Sequence, residues 1–330
     1  MTTFRRIVLA ARPRGEVLPE HFRIEDAELA PLAEGEVAVR NHFLSLDPYM
    51  RGRMSEAKSY AQAQALDATM LGGTVGVVQA SRHPDFAPGD SVAGMLGWAE
   101  MGVAPGAALR RVDALQAPLS AYLGVLGMPG VTAWYGMHKI MRPEPGETVL
   151  VSAASGAVGS AVGQLARIHG CRVVGIAGGP AKCAYVVDEL GFDACIDYKA
   201  GKLAQDLADA APDGIDTVFE NVGGAGLDAA LPLMNAYGRI ALCGLIAGYN
   251  GEEQVLRNLR FMLTSRLSMR GFIISEHLDI WPQALQELHA LVAGGRLKYR
   301  ETVAHGLDAA PEAFIGLLKG RNFGKQLVQL

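Results

Sequence analysis

Cysteine is scarce in this chain and poorly placed for metal or disulfide chemistry. There are four in 330 residues, Cys171, Cys183, Cys195 and Cys243, and the first 170 residues contain none. None belongs to a Cys-x-x-Cys pair, and none has a histidine at zinc-ligand spacing. This excludes a structural zinc site and a disulfide framework, and the four thiols read as small core residues in a reducing cytosol. Basic clusters are also missing. No more than two Lys or Arg residues are adjacent, and the formal net charge is -4, so a nucleic-acid surface is set aside. Long apolar runs are absent as well. Residues 7–11 give only five apolar positions before Arg12, too few for a secretory core. Residues 114–137 and 148–166 carry no charge, but the first is broken by Pro118 and Pro129, and the second is rich in Gly, Ser and Ala and contains Gln164. Both read as buried segments of a soluble, cytoplasmic protein with no membrane partner.

What the chain does have is apolar residues, half of the total, and 40 glycines. That supports a sizeable core and excludes global disorder. The length suggests two domains. The first 120 or so residues show short apolar runs at 7–9, 36–41, 73–79 and 90–94, separated by Gly, Pro and Asp, a pattern of β structure closing into a barrel. From about Ala121 the pattern becomes alternating strand and helix. Strands are expected at 148–152, 172–177, 194–197, 217–221 and 239–243, with helices at 160–169 and 181–190, each helix followed by a glycine. This alternation indicates an α/β fold with a doubly wound parallel sheet. The last 30 residues return to short mixed elements and end in a strand over 326–330. The resulting division is 1–122, 123–298 and 299–330.

The strongest local signal is the strand Thr148-Val-Leu-Val-Ser152 followed by Ala153-Ala-Ser-Gly-Ala-Val-Gly159. A strand, a tight turn and a helix carry the spacing of a dinucleotide fingerprint, with Ala154 in place of its first glycine. Gly156 lets the backbone approach a pyrophosphate, and Gly159 lets the helix pack on the strand. The free N–H groups of Ala157 and Val158 open the helix toward the phosphates. The second strand ends in Ala177-Gly-Gly179 with no acid to bind a ribose hydroxyl, and Lys182 follows. A cation there suits a 2′-phosphate, so the cofactor expected is NADP(H).

Other catalytic signatures are missing: there is no HExxH, no GxSxG and no P-loop. Without a cysteine in the first domain, metal-assisted hydride transfer is excluded and no metal is expected. Tyr198 and Lys202 have the Tyr-x-x-x-Lys spacing of short-chain dehydrogenases, but Tyr198 closes a predicted strand, so the spacing is accidental.

Several segments, taken in order, resemble one family. They are Leu46-Asp-Pro-Tyr-Met-Arg51, Pro129-Gly-Val-Thr-Ala-Trp-Tyr135, Ala153-Ala-Ser-Gly-Ala-Val-Gly159, Glu220-Asn-Val-Gly-Gly224, Cys243-Gly-Leu-Ile-Ala-Gly-Tyr-Asn250, Arg270-Gly-Phe272 and Asn322-Phe-Gly-Lys325. Over nearly its whole length the chain resembles the zinc-independent medium-chain dehydrogenase/reductases of the leukotriene B4 dehydrogenase, prostaglandin reductase and alkenal double-bond reductase branch. The resemblance implies a GroES-like β-barrel catalytic domain, completed by the C-terminal tail, and an inserted Rossmann domain. It implies reduction of the C=C bond of α,β-unsaturated aldehydes and ketones by NADPH, in a homodimer.

The same resemblance implies a set of site residues. Gly156, Ala157, Val158 and Gly159 lie under the pyrophosphate, and Lys182 and Tyr198 meet the 2′-phosphate. Asn221, the backbone from Cys243 and Gly244 to Tyr249, the run Phe272, Ile273 and Ile274, and Asn322 line the nicotinamide half. Tyr49 and Tyr249 face the substrate or the nicotinamide ribose and are the catalytic candidates. The chain departs from the family pattern at 55–69, which is rich in Ala and Gln, and in the short loop after Tyr249. Both flank the expected substrate pocket. Two other readings stand beside this one: an NADPH:quinone oxidoreductase, and a nucleotide-binding protein without catalysis, against which the presence of both tyrosines argues.

Overall fold

The computed structural model describes residues 2–330, and the chain divides into two compact units. One comprises the stretch up to Gly124 together with Glu301–Leu330, and the other is Val125–Arg300.

The first unit is largely β. Its strands are β1 (Thr3–Leu9), β2 (Phe22–Glu28), β3 (Glu36–Ser45), β4 (Thr74–Ser81), β5 (Ser91–Gly94), β6 (Met101–Pro105) and β7 (Arg110–Arg111), with one short helix, α1 (Tyr49–Arg53). β1 and β2 form an antiparallel hairpin. β3 is the hub of the larger sheet, because it pairs with β4, with β6 and with the C-terminal strand Lys325–Gln329. Register shifts at Ala38/Val39 and Asn41/Phe43 bend it, so one strand can serve three partners. The core is built on Trp98, which stacks on Phe22 at 5.3 Å and meets Phe314 edge-on at 5.6 Å. Met50 of α1 and Met54, its C-cap, are fully buried in the same cluster, which fixes the helix that begins at Tyr49.

The second unit is α/β. α2 (Met128–Tyr135) leads into a π-helical turn over Gly136–Met141, and the strand–helix alternation follows: β8 (Thr148–Val151), α3 (Ala157–Ile168), β9 (Arg172–Ala177), α4 (Pro180–Ala184), β10 (Ala194–Asp197), α5 (Leu203–Ala210), β11 (Ile215–Glu220), α6 (Gly224–Ala230), β12 (Met234–Leu242), α7 (Arg260–Thr264), β13 (Ser268–Gly271) and α8 (Trp281–Ala293). The six strands are all parallel, in the order β10-β9-β8-β11-β12-β13. The strand order reverses between β8 and β11, and the ends of those two strands form the switch point of the sheet. Central strands covered on both faces need continuous apolar runs, and β8 is buried at every position. The chain then returns to the first unit through β14 (Glu301–His305), α9 (Ala310–Leu318) and β15 (Lys325–Gln329), with β14 and β15 parallel. The fold is the two-domain α/β architecture expected from the sequence.

Two details differ from the sequence reading. The helix expected at 181–190 is α-helical only over Pro180–Ala184 and continues as a π-helical turn over Tyr185–Glu189. Burial of Tyr185 and Val186 against the sheet takes precedence over the 3.6-residue repeat. Of the four cysteines, all free, only Cys171 is a buried core residue, and the other three are partly exposed near strand ends or in the first turns of helices. No helix of the described residues is long and apolar enough to cross a membrane.

Candidate active site

The glycine-rich turn has the geometry its spacing predicts. Ala153 sits in the left-handed region at φ 49°, reversing the chain after β8, and Gly156 is the N-cap of α3. A Cβ on Gly159 would stand 2.4 Å from the Ala153 carbonyl oxygen, so only glycine lets the helix come this close. The first turn of α3 carries no acidic side chain, which leaves the N–H groups of Ala157 and Val158 and the helix dipole open to an anion.

A buried carboxylate holds the other side of the switch point. Glu220, 1% exposed at the end of β11, accepts hydrogen bonds at Oε1 from the Ser152 hydroxyl (2.7 Å) and from the Val222 and Gly223 N–H groups (2.6 and 2.8 Å). Burial pushes its pKa up, and these donors oppose that shift. Asn221 completes the clasp. Its N–H donates to Ser152 Oγ at 2.7 Å and its side-chain amide to the Ser152 carbonyl at 2.8 Å. Just beyond, the N–H groups of Cys243 and Gly244 both donate to the Glu220 carbonyl oxygen. The Cys243 thiol is pushed up to about 12 by burial and by the Glu220 carboxylate, which leaves it a neutral lining group. The Tyr249 hydroxyl comes back over this strand end, 3.3 Å from where a Gly244 Cβ would be. Gln254, in the loop after Tyr249, covers Gly223, Gly224 and Gly248, and its Oε1 is buried without a partner among the described residues.

The ends of β9 and β10 carry cations. Gly179 adopts φ 100° to open α4, and its N–H donates to Asp197 Oδ1 at 2.7 Å. Asp197 also caps the turn of Tyr198–Ala200 by accepting from the Lys199 N–H. Gly178 lies beside the Tyr198 ring and the Lys199 side chain, where an added Cβ would meet the Tyr198 hydroxyl at 3.1 Å. Burial lowers the Lys182 pKa, and the charge of Lys199 lowers it further. The Lys199 side chain thus lies beside Gly178, within electrostatic reach of Lys182. Tyr198 and Lys202 do not share a helix, since Lys202 is the N-cap of α5.

Phe272 packs on Tyr135 (5.3 Å) and Phe219 (6.3 Å), and Ile273 leads into a 3-10 turn that starts at the buried Ile274. The second unit therefore gathers Gly156–Gly159, Lys182, Tyr198, Asn221, Cys243, Gly244 and Tyr249 at the C-terminal ends of its strands. Tyr49 and Asn322 belong to the first unit. Tyr49 opens α1, and its phenol is raised by burial first and by the Asp47 carboxylate second, so it stays protonated. Asp47 is itself paired with Lys325 at 2.8 Å, both side chains nearly inaccessible, and Lys325 also donates to the Leu46 carbonyl at 2.7 Å. The Asn322 amide donates to Gly324 O at 2.7 Å, which shapes the turn into β15. Among the described residues no group of three or more His, Cys, Asp or Glu side chains is arranged to hold a metal ion.

Sequence reasoning missed Ser152, Glu220, Asp197, Lys199 and Gln254. Glu220 stood inside a quoted motif, but nothing in the order of residues tells a buried acid from a solvated one. Lys199 follows Tyr198 directly, and that adjacency was the available signal.

Residues 5–112 match a family described as the N-terminal domain of oxidoreductase, and residues 157–290 one described as zinc-binding dehydrogenase. The NADPH-dependent curcumin reductase of Escherichia coli is 45% identical over 99% of this chain and 96% of its own. The chain belongs to the zinc-independent branch of the medium-chain dehydrogenase/reductases. The tobacco 2-alkenal reductase (NADP(+)-dependent) is 45% identical over 91% of this reductase and 89% of its own length. The crystal structure of CurA from Vibrio vulnificus in complex with NADPH superimposes with a TM-score of 0.94 at 45% identity, covering 98% of both chains.

Proposed function

We propose that this oxidoreductase uses NADPH to reduce the C=C bond of α,β-unsaturated aldehydes and ketones. The observation that carries the cofactor reading is the placement of Lys182 and Lys199 around Gly178–Gly179, with no acid at the end of β9. A 2′-phosphate there would offset the burial that chiefly lowers Lys182 and the added repulsion from Lys199. The close approach of Gly159 to Ala153 and the open first turn of α3 fit a pyrophosphate. The substrate class follows relatives named for curcumin and 2-alkenals, both conjugated carbonyl compounds.

When bound, NADPH supplies a hydride to the β-carbon of the conjugated system. The work of the chain is to orient and to stabilise. Gly156 to Gly159 hold the pyrophosphate, and Lys182 and Tyr198 hold the 2′-phosphate. Asn221, the Cys243–Tyr249 backbone, Phe272 to Ile274 and Asn322 line the nicotinamide half. The Tyr249 hydroxyl donates to the oxygen that becomes anionic as the enolate forms, with Tyr49 as a second donor, since neutral phenols are good donors at pH 7. The enolate carbon then takes its proton from solvent or through the same network. We place the protein in the cytosol as a homodimer. The open sheet edge of β13, flanked by the exposed Leu259 and Leu263 before it and Leu278 after it, supports that assembly.

The test is oxidation of NADPH, with NADH as control, over a panel of 2-alkenals, enones and quinones. Preference for the alkenals and enones with NADPH is expected. Turnover of quinones alone would replace this reading with that of a quinone oxidoreductase, and equal use of NADH would overturn the cofactor assignment. Light scattering of the eluted protein checks the dimer.

A further inference from the structure

Two segments that stand far apart in the chain, Leu46–Arg51 and Asn322–Lys325, meet inside the first unit through a buried ion pair. Lys325 Nζ lies 2.8 Å from Asp47 Oδ1, with the two side chains 5% and 9% exposed, and it also donates to the Leu46 carbonyl at 2.7 Å. The Ser45 hydroxyl donates to the second carboxylate oxygen, Asp47 Oδ2. Three consecutive residues thus converge on one ammonium group and its partner. The ammonium group stands on firm ground, because Lys325 opens β15, which lies between β14 and β3 in the sheet. The backbone adds a bond of its own, from the Leu46 N–H to the Gln326 carbonyl at 3.2 Å.

The element held in this way is weak by itself. α1 has five residues, and its N-cap, Pro48, supplies no side-chain hydrogen bond. A helix this short is not stable alone. Met50 and Met54 bind it to the core, but Tyr49, its first residue, is only partly buried. Tyr49 follows directly on Asp47-Pro48, and the Asp47 carbonyl accepts the Met50 N–H at 3.1 Å. The residue paired with Lys325 therefore also closes the first turn around Tyr49.

We propose that Asp47 and Lys325 are positioning residues for the reaction: from the fixed end of β15 they set the direction of α1 and hold the Tyr49 hydroxyl where it meets the substrate carbonyl oxygen. This rests on the role of Tyr49 proposed above. Stability alone does not account for the pair, since buried ion pairs are often no better than apolar side chains of equal volume. Directed hydrogen bonds to Leu46 and Asp47 fix one backbone orientation, which an apolar contact would leave free. A misplacement of about 1 Å can cost a hundredfold in rate. The neighbouring Asn322 turn has supports of its own. Thr302 Oγ1 accepts the Phe323 N–H at 2.9 Å and donates to the Phe323 carbonyl at 2.7 Å, and the Asn322 amide donates to Gly324 O. Loss of the ion pair should therefore spare the nicotinamide contact expected of Asn322.

The test uses the full-length double variant Asp47→Asn/Lys325→Met, with Ser45→Ala as a milder change that leaves both charges in place. For the double variant, kcat with an enone should fall roughly tenfold to a hundredfold, while the Kd for NADPH stays at the wild-type value. Ser45→Ala should move kcat in the same direction. Amide hydrogen exchange should accelerate over Met50–Met54 and stay unchanged in peptides of the second unit. The deciding measurement repeats the kinetics in a Tyr49→Phe background, where adding the double variant should cost little more than Tyr49→Phe alone. A merely structural pair would give losses that multiply, and that result overturns the proposal. Wild-type kcat in the double variant, or unchanged exchange over Met50–Met54, also overturns it. If Tyr49→Phe alone keeps full kcat, the catalytic role of Tyr49 fails instead, and the exchange data still decide whether the pair orders α1.

Discussion

Ser152 and Glu220, 68 positions apart, are joined by a 2.7 Å hydrogen bond across the switch point of the parallel sheet. The same hydroxyl accepts the Asn221 N–H, so one serine ties the end of β8 to the end of β11. Ser152→Ala removes a donor from a buried carboxylate and an acceptor from a half-buried N–H. A loss of about 1–3 kcal/mol in unfolding free energy is expected, read by chemical denaturation, together with weaker NADPH binding. A fully retained midpoint would show that the clasp is dispensable.

Lys182→Ala should discriminate between cofactors. A hydrogen bond to a charged group is worth about 1.5–3 kcal/mol, so KM for NADPH should rise roughly tenfold to a hundredfold, with KM for NADH unchanged. Steady-state kinetics with both nucleotides checks it. An equal effect on the two would assign Lys182 to the fold of α4 and not to a phosphate.

Tyr249→Phe removes the proposed enolate donor and keeps an aromatic ring beside Gly244. Loss of one such donor costs about 2.7–4 kcal/mol, a fall of a hundredfold or more in kcat/KM for an enone. Tyr49→Phe gives the parallel measurement for the first unit. If either variant keeps its full kcat/KM, that tyrosine is a wall of the pocket only.

Lys325→Met leaves Asp47 buried without its cation beside Tyr49. Breaking a buried pair from one side costs about 3–5 kcal/mol. The double variant Asp47→Asn/Lys325→Met should recover much of that loss. Thermal unfolding of the two variants and of wild type compares them directly.

His138 should make the second unit sensitive to acid. Burial lowers its pKa, the Glu287 carboxylate opposes this in part, and the charges of His169 and Lys139 lower it further. The folded state therefore takes up this proton at lower pH than the unfolded chain. The resulting stability is fully present above the ordinary histidine value of about 6.5. It is lost as pH falls through that value toward the lowered one. His138→Gln should flatten the stability profile in this window, and denaturant midpoints measured from pH 7.5 downward would show it.

How much of this was visible in the sequence can be judged element by element. The fingerprint turn was legible because its chemistry is local: Gly156 and Gly159 are required by backbone contacts within a few residues. The alternation of β8, α3, β9, α4 and β10 was legible because hydrophobic periodicity survives in the order of residues. Strand β13 and the hairpin partner β2 were not anticipated, since each exists only through pairing with a distant segment. The π-helical turn at Tyr185–Glu189 was invisible for the same reason.

The sequence by itself determined the backbone logic of this protein: a glycine-dependent turn, a sheet of apolar strands, an acid-free end to β9, and the absence of cysteines from its first half. These are properties of neighbours along the chain, fixed by steric and hydrophobic rules that act over a few residues. Only the tertiary structure decided which polar groups meet. Glu220 is a clasp and not a surface acid because Ser152 and two N–H groups surround it away from water. Lys325 is an internal cation because β15 lies against β3, which places it over Asp47. In each case the desolvation and Coulomb energies that set the role depend on distances in space, which the linear order does not contain.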